Sequence, residues 1–135
     1  MTARIVIIDD EEDILELLSV LLQDEGFEVH LRKLTFEDLA DVEHLSPDLI
    51  ILDLFLGHQR EGWEFLQRLK EHPPTASIPL ILCTAAKLDS EQDSYTQQHH
   101  IPVASKPFDL DDLTQLVRSA IGSRPPPLDV SMQTA

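Results

Sequence analysis

Short runs of consecutive apolar residues recur along the chain and predict the strands of a sheet covered on both faces. Three runs are strongest, IVII at 5–8, LIIL at 49–52 and PLILC at 79–83. Continuous rather than alternating apolarity is typical of the buried strands of parallel sheets. Two weaker runs, FEVHL at 27–31 and IPVAS at 101–105, complete a set of five predicted strands.

Between these runs the apolar residues follow the spacing of amphipathic helices. A first helix is predicted around 14–22, with Gly26 as its C-terminal stop. A last helix is predicted around 113–121, with Asp109 as N-cap and Gly122 as its end. The apolar face of the first helix is formed by Ile14, Leu17, Leu18, Leu21 and Leu22. Weaker helical patterns lie at 36–44, 62–71 and 90–99.

The regular alternation of strands and helices predicts an α/β fold with right-handed crossovers. We predict a doubly wound, five-stranded parallel sheet of order 2-1-3-4-5 in a three-layer sandwich. This order places the fifth strand at an edge, where Pro102 is tolerated although proline cannot donate a ladder hydrogen bond. After Gly122 the sequence changes to SRPPPLDVSMQTA, so we predict one domain over 1–122 and a flexible, proline-rich tail over 123–135.

Composition narrows the classes of function. The 135 residues suit one domain with a single core. A net charge of −15 disfavours direct binding to nucleic acid or anionic membranes. No apolar run approaches the roughly 20 residues that span a bilayer, and the N-terminus lacks a signal-peptide pattern. Because Cys83 is the only cysteine, no internal disulfide can form, and we expect a cytoplasmic protein.

Polar residues follow four of the predicted strands at the point where each strand ends. Asp9 and Asp10 follow the first strand, Asp53 the third, Thr84 the fourth and Lys106 the fifth. The C-terminal ends of parallel strands lie on one rim, and sites form where the winding changes direction, here between strands 1 and 3. Three carboxylates gathered there would repel one another unless a cation lay between them.

The chemistry of these side chains predicts a site for phosphoryl transfer. Oxygen ligands without histidine or cysteine favour a hard cation, above all Mg²⁺. Lys106 is a compact charge suited to a phosphoryl oxygen, and the Thr84 hydroxyl can donate to another. Glu11, Glu12 and Asp13, by contrast, are expected in the first turn of a helix, where negative charge suits the helix dipole.

Four segments in this order and spacing resemble the receiver domain of two-component response regulators, which has a flavodoxin-like fold: IVIIDDEE, LIILDLFL, ILCTAA and SKPF. The resemblance covers about residues 3–122. It implies that Asp53 is the phosphoacceptor, which takes a phosphoryl group from a phosphohistidine on a histidine kinase or phosphotransfer protein. It also implies that Asp10 is a direct Mg²⁺ ligand and that Asp9 holds metal-bound water.

The same resemblance assigns the remaining residues of the site. The backbone carbonyl of Phe55 matches a further metal ligand, and Lys106 matches the lysine that pairs with the phosphoryl group. Thr84 matches the hydroxyl that moves to meet that group, and Pro107 matches a proline preceded by a cis peptide bond. The resemblance further implies that the domain signals to a downstream target protein, whose identity the sequence does not give.

Two features depart from the family pattern. Val103 stands three positions before the lysine, where receivers usually carry an aromatic switch residue, so the switching is expected to be altered. The segment GHQREG after the acceptor has one extra residue, and its glycines, Gly57 and Gly62, predict a longer and more mobile loop. His58 and Arg60 in this loop are expected to be solvated.

Three functions remain open from the sequence. The first is a stand-alone phosphoacceptor receiver, expected because only about a dozen residues follow Gly122. It would catalyse no reaction beyond its own phosphorylation and dephosphorylation. The second is a receiver-like interaction module that works without phosphorylation, which Val103 motivates. The third is a phosphohydrolase of the haloacid dehalogenase type, although Glu11 stands where that family has the second Asp of its D-x-D motif.

Overall fold

The computed structural model describes residues 2–33, 39–54, 61–85 and 87–122, and for Glu61 only its backbone. Strands and helices alternate through this part of the chain. Their bounds are β1 Arg4–Ile8, α1 Glu12–Asp24, β2 Glu28–Arg32, α2 Leu39–Leu45, β3 Leu49–Asp53, α3 Glu61–Glu71, α4 Pro73–Ala76, β4 Leu80–Thr84, α5 Ser90–Gln98, β5 Val103–Ser105 and α6 Leu110–Gly122. The predicted tail at 123–135 lies outside the described residues.

The five strands form one parallel sheet in the order β2-β1-β3-β4-β5. The predicted fold class and strand order are therefore confirmed. β5 is an edge strand, as expected, but it begins only at Val103, so Pro102 precedes the strand instead of lying within it. The carbonyl of Pro102 still accepts a hydrogen bond from the Leu82 amide at 2.9 Å, which requires no donor from the proline.

Each central strand contributes alternate residues to two apolar cores, one on each face of the sheet. Val6 and Ile8 of β1 pack with residues of α2 and α3 on one face, whereas Ile5 and Ile7 pack against α1 and α6 on the other. All five residues of β3 and of β4 are buried. The continuous apolar runs in the sequence therefore reflect strands that are covered on both faces, which completes the three layers.

The helix-stop and helix-cap predictions agree with the structure. Gly26 follows α1 with a φ of 94°, a left-handed conformation that favours glycine. Asp109 caps α6, because its carboxylate accepts hydrogen bonds from the amides of Asp111 at 2.8 Å and Asp112 at 3.2 Å. Leu17 was placed on the buried face of α1 but is 44% exposed, because the buried stripe runs through Leu15, Leu18 and Leu22.

Other boundaries differ from the sequence prediction. The strand predicted at 27–31 lies one residue later, and the helix predicted at 36–44 is seen at Leu39–Leu45, with 36–38 outside the described residues. The short helix α4 was not predicted, although Pro73 at its start suits the first turn of a helix. Among the described helices, none has the length and apolarity that a membrane span requires.

Candidate functional site

Three aspartates meet at the C-terminal ends of β1 and β3. These strands are neighbours in the sheet, with Ile8 paired to Leu52, so the residues that follow are carried to the same rim. One side-chain oxygen from each of Asp9, Asp10 and Asp53 lies within 4.8 Å of the others. Asp9 and Asp53 are only 2% and 5% exposed, whereas Asp10 is open to solvent.

Lys106 reaches this acidic group from the end of β5. Its backbone amide donates to the Thr84 carbonyl at 2.8 Å, which fixes where the side chain begins. The ammonium group donates to Asp9 at 2.9 Å, Glu11 at 3.2 Å and Asp53 at 3.4 Å. We call Asp9, Asp10, Asp53 and Lys106 the rim cluster.

The electrostatics of Lys106 follow from these contacts. Burial alone would lower its pKa, but the hydrogen bond to Asp9, the charges of Asp53 and Asp9 and the hydrogen bond to Glu11 together raise it above the usual range. The ammonium group of Lys106 therefore offsets part of the negative charge of these carboxylates.

Thr84 and Cys83 end β4 beside the rim cluster. Thr84 is 1% exposed. Burial is the main cause that raises the pKa of the Cys83 thiol to about 12; the charge of Lys106 opposes this rise, and the charges of Asp53 and Asp9 add to it. The side chain packs in the core formed with α1 and α6. Cys83 is therefore a thiol packed as a small apolar side chain, and burial disfavours its reactive thiolate form.

The backbone that carries Asp53 is held by a close approach of α3. A Cβ at Gly62 would lie 2.1 Å from the Leu54 carbonyl oxygen and 2.5 Å from that of Asp53. Only glycine fits this position without shifting the end of β3. Gly62 thus belongs to the first turn of α3, as the helical pattern at 62–71 predicted, and not to the loop assigned to GHQREG. Phe55, Gly57, His58 and Arg60 lie outside the described residues.

Glu11 contributes to the site, although the sequence predicts for it only a place in the first turn of a helix. It occupies the N-cap position of α1, and its side chain makes no capping hydrogen bond. Its carboxylate instead accepts from Lys106, while its amide donates to Asp9 at 2.9 Å. The signal available in the sequence was the third consecutive acid of DDEE, whose longer side chain can reach back over the rim.

The surface beside Thr84 is formed by β5 and α5. Val103 on β5 is 36% exposed. The polar helix α5 begins with a capping box, in which the Asp89 side chain accepts from the Gln92 amide and the Gln92 side chain accepts from the Asp89 amide. Tyr95 anchors the helix to the core by an edge contact with Trp63, with ring centroids 5.2 Å apart. Local caps and one aromatic contact therefore hold this helix, which has little apolar surface of its own.

The rim cluster fits a magnesium ion. Ligands of octahedral Mg²⁺ lie about 2.1 Å from the metal, so opposite ligands are about 4.2 Å apart. The three aspartate oxygens already gather within 4.8 Å, and all are hard carboxylate donors. They form the one cluster of three or more possible metal ligands found among the described residues. The peptide bond between Lys106 and Pro107, which follows β5, is cis.

Comparisons with curated proteins give several regulatory proteins as relatives. Response regulator Rre1 of Synechocystis sp. is 30% identical over 132 residues, which are 97% of this chain and 57% of that protein. The DNA-binding dual master transcriptional regulator RpaA of the same organism is 33% identical over 126 residues, 87% of this chain and 48% of that protein. The chain therefore spans about half the length of these two relatives.

The solved structures and a family model agree with these relatives. A CheY-like response regulator receiver domain protein from Methanospirillum hungatei superposes with a TM-score of 0.80 at 25% identity, covering 92% of this chain and 97% of its own. NtrX from Brucella abortus superposes with a TM-score of 0.75 at 28% identity, over 92% of this chain and 28% of its own. The model of the response regulator receiver domain family matches residues 5–118. This chain belongs to the response regulator receiver domain family.

Proposed function

We propose that this receiver domain accepts a phosphoryl group on Asp53 from a phosphohistidine of a histidine kinase or phosphotransfer protein. The supporting observation is the rim cluster, in which the buried Asp9 and Asp53 share Lys106 and an oxygen of the exposed Asp10 lies within 4.8 Å of theirs. We further propose that residues 1–122 act as the receiver in the cytoplasm and that 123–135 are a tail. The phosphorylated domain would signal by contact with a downstream target protein.

The chemical step forms one bond and breaks another at phosphorus. A carboxylate oxygen of Asp53 attacks, and the bond between phosphorus and the imidazole nitrogen breaks. The nitrogen keeps the electron pair and takes up a proton, while Asp53 becomes an acyl phosphate. Burial of Asp53 excludes most water from the attacking oxygen and strengthens its interaction with Lys106.

The other residues of the site have supporting roles in this proposal. Mg²⁺ held by Asp9, Asp10, Asp53 and the Phe55 carbonyl would supply positive charge to the phosphoryl oxygens. Lys106 holds a phosphoryl oxygen by its ammonium group, and the Thr84 hydroxyl donates to another. The net charge of −15 supports signalling through protein contacts and not through direct contact with nucleic acid or membrane.

The test is incorporation of phosphoryl groups from a small phosphodonor in the presence of Mg²⁺, followed by intact-mass spectrometry. We expect wild-type protein to gain one phosphoryl group and Asp53→Asn to gain none. Asp93→Asn is the matched control, because it removes an exposed carboxylate of α5 outside the rim cluster. Equal incorporation by wild-type protein and Asp53→Asn, or none by either, would refute the proposal.

A second candidate is an interaction module that binds its partner without phosphorylation. Val103, which is half-exposed on β5, favours this function because the aromatic switch residue of the family is missing there. Beryllofluoride, a mimic of the phosphoryl group, separates the two candidates. A partner affinity that changes with beryllofluoride supports the phosphoacceptor switch, whereas an unchanged affinity supports the module.

Phosphohydrolase activity is the least favoured function. Receiver domains are signalling domains and not classical enzymes, and the family match covers residues 5–118. Turnover of a small phosphate ester, beyond one phosphoryl group per chain, would be the observation in its favour.

A further inference from the structure

The three donors of the Lys106 ammonium group all have carboxylate acceptors. An ammonium has three N–H donors and no acceptor. Here its partners are Asp9, Asp53 and Glu11, at 2.9, 3.4 and 3.2 Å respectively. In the proposed function the phosphoryl group is attached to Asp53 and takes over the donor that Asp53 now holds, so any further contact of its oxygens with Lys106 must replace Asp9 or Glu11.

The three acceptors differ in how easily each can be replaced. Asp53 carries the phosphoryl group and is then no longer a charged carboxylate. The Asp9 side chain is only 3% exposed, so water could not solvate its carboxylate if it lost the lysine. The Glu11 side chain is 60% exposed, so water can solvate its carboxylate as soon as it releases the lysine. Glu11 is therefore the partner whose displacement is least unfavourable.

The position of Glu11 in the chain supports this assignment independently. It is the N-cap residue of α1, where a side-chain oxygen commonly accepts from the first amides of the helix. The Glu11 side chain makes no such bond and is turned to Lys106 instead. The neighbouring Glu12 is 78% exposed and bonds Lys33 at 2.6 Å, so it faces away from the site.

We propose that Glu11 is a positioning residue that holds Lys106 in the unphosphorylated domain and competes with the phosphoryl group for it. This inference rests on the proposed function of Asp53. Loss of the Glu11 carboxylate leaves Lys106 with a free N–H donor, so the phosphorylated state becomes more stable relative to the resting state. Glu11 thereby weakens the binding of phosphoryl mimics.

The main test compares Glu11→Gln with Glu12→Gln, which changes the charge equally at the adjacent residue. Beryllofluoride is titrated into each Mg²⁺-loaded protein and followed by NMR. We expect Glu11→Gln to bind about two- to fivefold more tightly than wild type, the range of a partly exposed ion pair, and Glu12→Gln to change less than about 1.5-fold. Equal effects of both substitutions, or no gain for Glu11→Gln, would overturn the inference.

A second measurement separates the contact from the general effect of charge. Glu11→Asp keeps the charge, but its shorter side chain favours capping α1 and does not reach Lys106. We expect it to bind beryllofluoride like Glu11→Gln; binding like wild type would mean that the charge acts without the contact. In the metal-free proteins, the Lys106 ammonium signal should shift in both Glu11 variants and stay unchanged in Glu12→Gln.

The proposed function and the inference fail in different ways. If wild-type protein binds no beryllofluoride and gains no phosphoryl group, the proposed function of Asp53 fails. If wild-type protein does both and Glu11→Gln matches it, only the role of Glu11 fails. Thermal unfolding of each variant checks that a change in affinity does not follow from partial unfolding.

Discussion

Two regions of the molecule gather charged side chains, and they do so in opposite ways. Arg4 of β1 pairs with Glu28 of β2, and Arg32 of β2 pairs with Asp41 of α2, each at 2.6 Å and with side chains 33–41% exposed. We call these the edge pairs. In the rim cluster one lysine serves several acids, and its side chain is only 10% exposed.

The difference separates charges that support the fold from charges that form a site. The edge pairs are solvated pairs of opposite charge, so each contributes little to the stability of the fold. The rim cluster has a surplus of negative charge at low exposure, which opposes folding unless another cation binds. An arrangement that is unfavourable in the resting protein is expected where binding of Mg²⁺ and a phosphoryl group relieves it.

The largest effect is expected from displacing the backbone that carries Asp53. Gly62→Ala would place a methyl group within 2.1 Å of the Leu54 carbonyl oxygen. We expect the free energy of unfolding to fall by about 3 kcal/mol, because backbone atoms must shift to relieve the overlap. Urea denaturation measures the loss.

Gly122→Ala is the control for that experiment, since a Cβ there would meet nothing within 4 Å. Its free energy of unfolding should stay near that of wild type. Comparable stability of the two variants would mean that α3 does not pack against the end of β3 as described.

A smaller effect is expected from removing one cation from each region. Lys106→Gln leaves Asp9 and Asp53 buried side by side, and we expect a loss of about 2 kcal/mol in the metal-free protein. Arg32→Gln leaves the half-exposed Asp41 to water and should lose no more than about 1 kcal/mol. Equal losses in chemical denaturation with a chelator present would show that the two regions do not differ.

The smallest effect is expected from neutralising one acid in each region. Its sign tests whether the rim cluster carries an excess of negative charge. Asp10→Asn removes one acid from the crowded rim, so the free energy of unfolding of the metal-free protein should rise by about 1 kcal/mol. Asp41→Asn removes the partner of Arg32 and should lower it by a few tenths. Thermal unfolding with and without Mg²⁺ measures both, and Mg²⁺ should stabilise Asp10→Asn less than wild type.

A destabilised Asp10→Asn protein in chelator would contradict this prediction. It would mean that Asp10 supports the fold as the edge pairs do. The acids of the rim cluster would then be balanced by groups other than a bound cation.

The fold was predictable because its signals are local and repeated. Apolar runs that alternate with helical periods specify a parallel sheet, and the residues after each run necessarily meet at one rim. Asp9, Asp10, Asp53 and Lys106 follow from that topology and are brought together as expected. Their chemical roles remain the proposal above.

The features that could not be predicted from the sequence depend on the direction of side chains and on contacts between residues far apart in the chain. Glu11 and Lys106 are 95 positions apart, and no local pattern shows that the glutamate leaves its helix cap for the lysine. The close packing of Gly62 on the backbone of Asp53 and Leu54 is likewise not visible in the sequence, where a glycine in this segment also fits a flexible loop. Leu17 fits the helical period, yet it is 44% exposed.

The most direct test of the central claim is to locate the modified side chain. Protein treated with Mg²⁺ and a small phosphodonor is reduced with borohydride, which converts an acyl phosphate of aspartate to homoserine, and is then digested and mapped by mass spectrometry. We predict homoserine at residue 53 and at no other aspartate. Homoserine at Asp9 or Asp10 instead, or an unmodified Asp53 after the treatment, would contradict the account.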